Sequence, residues 1–449
     1  MKMNPINKLA LCLISTAVCT NIGYASEQTY VDSIKKAELQ TSFNQERYHN
    51  NEVVDIQAIG TELDERDLEY GYAIGWTYKI GERYKSRCSG TLITKEWVMT
   101  AAHCLHPEYL KEAFNLNEGE EAVPRIMLIG NTANRDTDGN QTYFLNIKGH
   151  SQSSPAIYFH SEYSNRTPQN DRANIEYAKD DFAIFQLESA VSGNYTPAFM
   201  PSRLSFAKYN KTNKVLNVVG SSPAYGDINE SDGTRDITFR KARPTIGAGN
   251  EGSTYRRNEY KHQILYSDRV LCGGDSGSSI TTTYRPTTIL GVASRASNAQ
   301  AGKCASGVSE TQNFALYGAL DLSSNAPLVR LLENAGIVIV KKTNYISDSQ
   351  TTGIFVDNPI VNGSRDTRAV VDVKAIGNIT GSLNFTVIGV KPGGGNVTLG
   401  RTYLKSTRYE GTAELRLAGI QSYSKLLVAF DKSAENHGAE ISINIIRQP

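Results

Sequence analysis

The chain has 449 residues, of which 39% are hydrophobic and 21% are charged. That apolar share over this length is enough to bury more than one core, which excludes fibrous and intrinsically disordered proteins. Lys and Arg together number 47 against 46 Asp and Glu, and no basic block supplies contacts to phosphates, so we expect no nucleic-acid partner.

The first residues have the pattern of an export signal. A positively charged start precedes an apolar run over residues 9–18 that is too short to cross a bilayer, and Gly23 and Ala25 are small residues at the two positions that a signal peptidase reads. We expect a signal peptide over residues 1–25 and a secreted protein. Residues 26–57 are mostly polar and are interpreted as a propeptide or an amino-terminal extension. No later segment approaches the length of apolar sequence that a membrane span needs.

Four cysteines follow the predicted signal: Cys88, Cys104, Cys272 and Cys304. An even number in an exported chain favours disulfides, and no pair has the CxxC spacing of a metal site. Three pairings are possible. The spacing favours the two local ones, Cys88 with Cys104 and Cys272 with Cys304.

Residues 58–340 are predicted to be rich in β-strands. Short apolar runs, such as residues 71–76, 182–187 and 288–293, alternate with clusters of Gly, Asn, Asp and Ser. Many short strands joined by turns are typical of β-barrels and β-sandwiches. The sequence therefore predicts an all-β fold.

One helix is predicted at the end of this region, over residues 325–334. Asn325 is expected to cap its amino terminus, and Gly336 stands where a left-handed stop is expected. Residues 345–449 then form another stretch of alternating strands without cysteine. We expect a small, immunoglobulin-like β-sandwich domain there.

Three short segments carry side chains suited to catalysis. His103 ends an apolar strand directly before Cys104. Asp181 abuts a strand that is apolar on both faces, where an ionised carboxylate needs a partner, whereas Asp180 is expected to face solvent. Ser276 lies in a glycine-dense turn, whose backbone N–H groups are able to converge on an oxyanion. Each segment alone is consistent with an ordinary structural role, so the prediction rests on the combination.

Together these segments resemble the chymotrypsin-like, or trypsin-family, serine proteases over about residues 58–340. The resemblance implies two six-stranded antiparallel β-barrels with a C-terminal helix, here followed by the β-sandwich, and a serine endopeptidase that needs no cofactor and no metal. It implies that Ser276 attacks the scissile carbonyl, that His103 takes and returns the proton, and that Asp181 orients His103. The N–H groups of Gly274 and Ser276 would form the oxyanion hole.

Activation departs from the family pattern. In the family, the acid before the nucleophile, here Asp275, pairs with a new amino terminus made by cleavage behind Arg or Lys. The nearest match to that terminus, residues 58–61, lacks the preceding basic residue and the second glycine. Either cleavage occurs at an unusual bond or another group meets Asp275. We expect a monomeric zymogen with an activating protease and protein or peptide substrates as its partners.

The resemblance also places the residues of the primary specificity pocket. Val270 stands at its base, and Ala296 and Ala315 replace glycines in its walls. Such a pocket favours small or medium uncharged side chains, because a buried unpaired cation is penalised. A shift of the loop would bring Asp268 into the pocket instead and restore a preference for Arg and Lys. Ser294 to Ala296 are expected to pair with the substrate backbone.

Two other functions stay open at this point. One is an inactive protease homologue that acts as a binding module. The other is an adhesin or carbohydrate binder that acts through residues 345–449. That stretch has no dense aromatic or metal-ligand cluster, so its sequence indicates no ligand.

Overall fold

The structure is a computed structural model. It describes residues 61–63, 68–128, 145–149, 155–164, 175–191, 195–203, 214–221, 239–246, 264–267, 271, 274–283, 287–296, 315–345, 353–357, 367–377, 383–404, 410–430 and 440–449. The contacts divide the chain into residues 1–56 and 57–449, and every described residue belongs to the second unit. The signal peptide and extension predicted over residues 1–57 therefore lie outside the described residues. None of the helices formed by the described residues has the length and hydrophobicity needed to span a membrane.

The first barrel is formed by described residues between 61 and 203. This part of the chain begins with β1 (Thr61–Leu63), which pairs with a strand of the second barrel. The elements of the first barrel are β2 (Ala73–Ile80), β3 (Arg83–Leu92), β4 (Trp97–Thr100), α1 (Pro107–Phe114), β5 (Val123–Leu128), β6 (Ile157–Phe159) and β7 (Ala183–Gln186). Six strands pair in the order β5-β2-β3-β4-β7-β6, all antiparallel. Bridges from Leu145 to Ile126 and from Ile147 to Leu187 join β5 to the end of β7, so the sheet closes on itself.

Aromatic packing inside this barrel holds β2 against β7. Strand β2 is rich in aromatic and β-branched residues, which favour a strand. The ring of the fully buried Trp76 meets the rings of Phe185 and Tyr78 edge-on, with centroid distances of 5.8 and 6.5 Å. The packing fixes the position of β7, the strand that directly follows the candidate acid Asp181.

The second barrel is formed by the next group of elements. These are β8 (Lys214–Val215), β9 (Asn217–Gly220), β10 (Phe239–Ala242), β11 (Thr245–Ile246), β12 (Ile264–Ser267), β13 (Ser279–Thr281), β14 (Ile289–Ala296), β15 (Ala315–Ala319) and α2 (Ala326–Glu333). With β1, the strands pair in the order β1-β10-β9-β13-β14-β15-β12-β11-β8.

Eight of the nine strands in this second sheet correspond to the six strands of a barrel. Strand β8 continues into β9 after Leu216, and β10 continues into β11 after a break at Pro244, which has no N–H to donate. One half of each broken strand, β10 and β9, lies near the start of the strand order, and the other halves, β11 and β8, lie at its end. The sheet therefore closes on itself, and β1 is added beside β10. The all-β fold with two antiparallel barrels is confirmed.

Helix α2 follows the second barrel as the sequence predicts. The side chain of Asn325 accepts a hydrogen bond of 3.0 Å from the N–H of Leu328, which caps the helix. Leu328, Leu331 and Leu332 are buried on one face. Gly336 has φ of +70°, a left-handed conformation that glycine adopts without strain.

Two four-stranded antiparallel sheets make up the rest of the chain. Their strands are β16 (Val338–Tyr345), β17 (Gly353–Asp357), β18 (Arg368–Ile376), β19 (Leu383–Val390), β20 (Asn396–Leu404), β21 (Glu410–Leu417), β22 (Lys425–Phe430) and β23 (Glu440–Gln448). The sheets have the orders β16-β23-β18-β21 and β17-β22-β19-β20, and their facing residues form a separate apolar core. This further β region is the predicted sandwich.

The sandwich is packed against the rest of the molecule through its first sheet. Val370 on β18 and Ile446 on β23 belong to the same apolar core as the residues of the first barrel and α2. Only four residues separate the end of α2 from the start of β16. Adjacent strand residues point to opposite faces, so this sheet faces two cores at once.

Candidate active site

The pairing of β4 with β7 brings His103 and Asp181 together. His103 lies in a 3-10 turn (Ala102–Cys104) just after β4, and Asp181 lies just before β7. Thr100 pairs with Ala183 across the two antiparallel strands, so the residues that follow one strand lie beside those that precede the other. The N–H of His103 donates to Oδ1 of Asp181 at 3.0 Å, and Nδ1 lies 2.8 Å from Oδ2.

The carboxylate of Asp181 is buried and well bound. Only 1% of the residue is exposed, and the hydroxyl of Ser294 on β14 donates to Oδ2 at 2.5 Å. Burial raises the pKa of Asp181, but the charge of His103 and the hydrogen bonds from His103 and Ser294 together outweigh it, so the pKa lies below its ordinary value. An ionised carboxylate only accepts hydrogen bonds, so Nδ1 of His103 carries the hydrogen between them. Asp180 is also buried, so the prediction that it faces solvent is wrong.

Ser276 is held in a turn that lies against the histidine segment. Its carbonyl oxygen accepts from the N–H of Ser89 on β3 at 2.7 Å, and it lies 3.6 Å from Sγ of Cys104. A ring nitrogen of His103 lies within 4.8 Å of the same sulfur. The N–H of Gly277 donates to the carbonyl of Ala293 at 2.7 Å, which ties the turn to β14. The structure thus brings the Ser276 turn beside the residue that follows His103.

Glycine is required next to Ser276. Gly277 has φ of +86°, and a Cβ atom there would lie 2.1 Å from both the carbonyl oxygen of Ser89 and Oγ1 of Thr100. Gly274, one of the two predicted oxyanion donors, has φ of +110°. Gly277 therefore allows the turn to approach β3 and β4 closely, and Gly274 adopts a backbone conformation that favours glycine.

Asp275 is buried beside Gly220 on β9. Only 1% of Asp275 is exposed, and a Cβ atom on Gly220 would lie 2.0 Å from its Oδ1. Any side chain at position 220 would therefore displace the carboxylate.

A disulfide links Cys88 on β3 to Cys104, as the local spacing predicts. It joins the turn that carries His103 to the strand that binds Ser276. Donor atoms of Cys88, His103 and Cys104 lie close enough together to suggest a metal site. Both sulfurs are consumed by the disulfide, however, and a metal needs thiolates. Cys272 and Cys304 lie outside the described residues.

A family model described as Trypsin matches residues 67–315, which is more than half of the chain. The chain belongs to the trypsin family. The mouse (Mus musculus) protein Ovochymase-2 is 24% identical over 164 residues, which cover 36% of this chain and 22% of that protein. This chain thus matches about a fifth of the length of that relative. A solved structure of HL collagenase is 17% identical with a TM-score of 0.40, over 63% of this chain and 99% of that one.

The predicted pocket walls of this trypsin-family chain lie on neighbouring strands. Ala296 on β14 is the direct partner of Ala315 on β15, so the two positions face each other across the strand pair. Ser294 lies two residues earlier on β14. Val270 and Asp268 lie outside the described residues, so the base of the pocket stays a prediction.

Two contacts near the histidine were not predicted. The sequence suggested only a substrate contact for Ser294, whereas its hydroxyl binds Asp181. The ring of Tyr109 on α1 has its centroid 6.4 Å from that of His103. A tyrosine six residues beyond the histidine is a weak signal for this contact. The bond from Ser294 spans 113 residues of sequence, so no local pattern predicts it.

Proposed function

We propose that the protein is a secreted serine endopeptidase that cleaves peptide bonds through Ser276, His103 and Asp181. The observation that carries this proposal is the pairing of His103 with a buried, ionised Asp181 beside the Ser276 turn. A serine hydroxyl is unreactive at neutral pH without a base. With its Nδ1 hydrogen directed at Asp181, the imidazole of His103 would accept the proton of the serine at Nε2.

The reaction follows from these roles. Oγ of Ser276 attacks the scissile carbonyl while its proton passes to Nε2 of His103, and the N–H groups of Gly274 and Ser276 stabilise the oxyanion. His103 then gives the proton to the leaving amine, and an acyl-enzyme on Ser276 remains. Water repeats the same steps and releases the acid. Asp181 stays ionised throughout and stabilises the imidazolium.

The substrates are proteins or peptides with small or medium uncharged residues before the scissile bond. Methyl groups at Ala296 and Ala315, with Val270 expected at the base, would narrow the pocket and would give a cation no partner. Cleavage after Arg and Lys through Asp268 is the alternative. A profile of the processed protein against a peptide library decides between them, since cleavage mainly after Arg and Lys would overturn the preference for uncharged residues.

Labelling with a fluorophosphonate probe tests the proposed reaction. The processed protein should be labelled on Ser276 and should hydrolyse peptides, while Ser276→Ala should lose both properties with an unchanged melting temperature. We attribute processing to an activating protease. The amino terminus of the active form should therefore be sequenced in the same experiment, because it identifies the bond that is cleaved. A processed, folded protein that neither labels nor cleaves would instead support an inactive homologue that acts as a binding module.

A further inference from the structure

We propose that the first sheet of the sandwich, β16-β23-β18-β21, is a positioning element for catalysis, a proposal that rests on the proposed function. The sheet holds residues 197–203, which we name the joining segment because they lie between the last strand of the first barrel and the first long strand of the second. His103 and Asp181 belong to the first barrel, and Ser276 belongs to the second. The sandwich thereby fixes the link between the two halves of the site.

The joining segment is bonded to both barrels. The N–H of Ala198 donates to the carbonyl of Leu92 on β3 at 3.0 Å. The N–H of Phe199 donates to the carbonyl of Thr287 at 2.9 Å, and the carbonyl of Phe199 accepts from Ile289 on β14 at 2.9 Å. Strand β3 binds the Ser276 turn, and β14 carries the serine that binds Asp181. A displacement of the joining segment would therefore be transmitted to both catalytic strands.

Gln448 on β23 ties the joining segment to the first barrel. Its Nε2 donates to the carbonyls of Ile93 at 3.1 Å and Ala198 at 2.9 Å, and its Oε1 accepts from the N–H of Met200 at 2.9 Å. Only 1% of the residue is exposed. A buried side chain with both donors and its acceptor engaged has one allowed position, so it fixes the backbone groups that it binds.

Two further groups of the same sheet hold the two ends of the joining segment. Arg368 on β18 donates to the carbonyl of Pro197, and its guanidinium lies 5.0 Å from the ring centroid of Phe199. At the other end, Asp372 on β18 accepts from the backbone N–H of Arg203 at 3.2 Å and from its side chain at 2.6 and 3.1 Å. The segment is therefore held at both ends and in the middle by one sheet.

Catalytic rates are sensitive to such placement. A shift of about 1 Å in a catalytic group is able to lower a rate about 100-fold. The bonds of Gln448 reach backbone groups directly, so their loss frees the joining segment without removing any group from the reaction. The turnover of each correctly folded site should fall, which distinguishes positioning from stability alone.

The test compares Gln448→Ala and Gln448→Met with the wild type in the full chain. The Met variant keeps the volume of the side chain but none of its three hydrogen bonds. We expect kcat per site, counted with an active-site titrant, to fall about tenfold in both variants at a temperature well below unfolding, with KM changed less than about twofold. Gln421→Ala is the matched control. That glutamine accepts from the N–H of Thr367 within the sandwich, and its loss should leave kcat per site unchanged.

Arg368→Lys provides a second variant in case the Gln448 variants do not fold. It keeps the positive charge and a donor for Pro197, and kcat per site should fall about threefold. An active wild type with unchanged kcat per site in the folded variants, whatever their melting temperatures, would overturn the positioning role alone. A processed wild type without any activity would overturn both this proposal and the proposed function.

Discussion

Two polar interfaces within residues 57–449 are built from different side chains. We call the one between the two barrels the catalytic seam and the one between the sandwich and the joining segment the sandwich seam. The catalytic seam between the barrels is joined mainly by short hydroxyl groups. Oγ of Ser89 lies 3.0 Å from Oγ of Ser221, and Oγ1 of Thr91 donates to Oγ of Ser279 at 2.6 Å. Short side chains allow the strands of the two barrels to lie close together, and these two hydroxyl pairs involve no charge.

The sandwich seam is joined by long amide and charged side chains. Gln448 and Arg368 reach backbone carbonyls of the joining segment, and Arg203 pairs with Asp372, which also accepts from the amide of Asn444 at 3.2 Å. Long side chains span a wider gap between elements and specify their partners by geometry. This seam is suited to holding two pre-formed units in one arrangement.

A buried carboxylate lies in each seam, and the pKa values of the two are shifted in opposite directions. At Asp181 burial is outweighed by the charge of His103 and by several hydrogen bonds, so the pKa is lowered. At Asp372 burial outweighs Arg203 and Asn444, so the pKa is raised. The catalytic seam thus keeps its carboxylate ionised, whereas ionising Asp372 costs stability.

The largest expected effect is that of removing the charge from the catalytic seam. Asp181→Asn keeps the shape of the side chain but no longer holds the Nδ1 hydrogen of His103, so kcat should fall about 10⁴-fold. Peptide hydrolysis measures the loss, and near-ultraviolet circular dichroism checks that the fold is retained. Activity within about tenfold of the wild type would show that Asp181 does not orient the base.

A smaller effect is expected from breaking the charge pair of the sandwich seam. Arg203→Ala leaves the buried carboxylate of Asp372 without its cation, so the free energy of unfolding should fall by about 3 kcal/mol at neutral pH. Urea titration measures it. Because a raised pKa means that the folded state favours protonated Asp372, the loss should shrink as pH falls through that pKa.

Two variants sharpen this result. Arg203→Ala combined with Asp372→Asn should recover part of the lost stability, because no unpaired charge is then buried. Arg401→Ala, at an exposed position on β20, should change the free energy of unfolding by less than about 0.5 kcal/mol. A loss in Arg203→Ala that is the same at acidic and neutral pH would show that the charge of Asp372 is not its cause.

The two seams also differ in how far the sequence predicts them. His103, Asp181 and Ser276 stand in short motifs, each with a local reason for its residue type, so the chemistry is readable before any fold is known. The cap at Asn325 and the bond from Cys88 to Cys104 are local in the same way. Local spacing is sufficient for such features.

The sandwich seam has no local pattern. Met200 and Gln448 are 248 residues apart, and a glutamine at the end of a strand is ordinarily a solvated residue. Its burial follows only from the docking of one sheet face on the barrel core, which depends on the whole fold. For the same reason the sequence predicts that Ser294 pairs with the substrate backbone, but it does not predict that the hydroxyl of Ser294 binds Asp181.

The smallest expected effect is the loss of that hydroxyl from the catalytic seam. Ser294→Ala removes one of the hydrogen bonds that lower the pKa of Asp181 but leaves the two from His103, so kcat should fall only about tenfold.

The same variant should change how stability depends on pH. A carboxyl with a lowered pKa adds stability above its ordinary pKa, and this stability is lost as pH falls through the folded-state pKa. In Ser294→Ala this pKa moves up towards its ordinary value, so less of this stability is present at neutral pH, and the deficit relative to the wild type should shrink as pH falls through the folded-state pKa. Melting temperatures from about pH 3 to pH 7 measure the shift. Ser164→Ala removes an exposed hydroxyl bound to the carbonyl of Ser161 and serves as the control. A difference in melting temperature that is the same at every pH would mean that the bonds from His103 alone set the pKa of Asp181. The ionisation of Asp181 would then not depend on the second barrel.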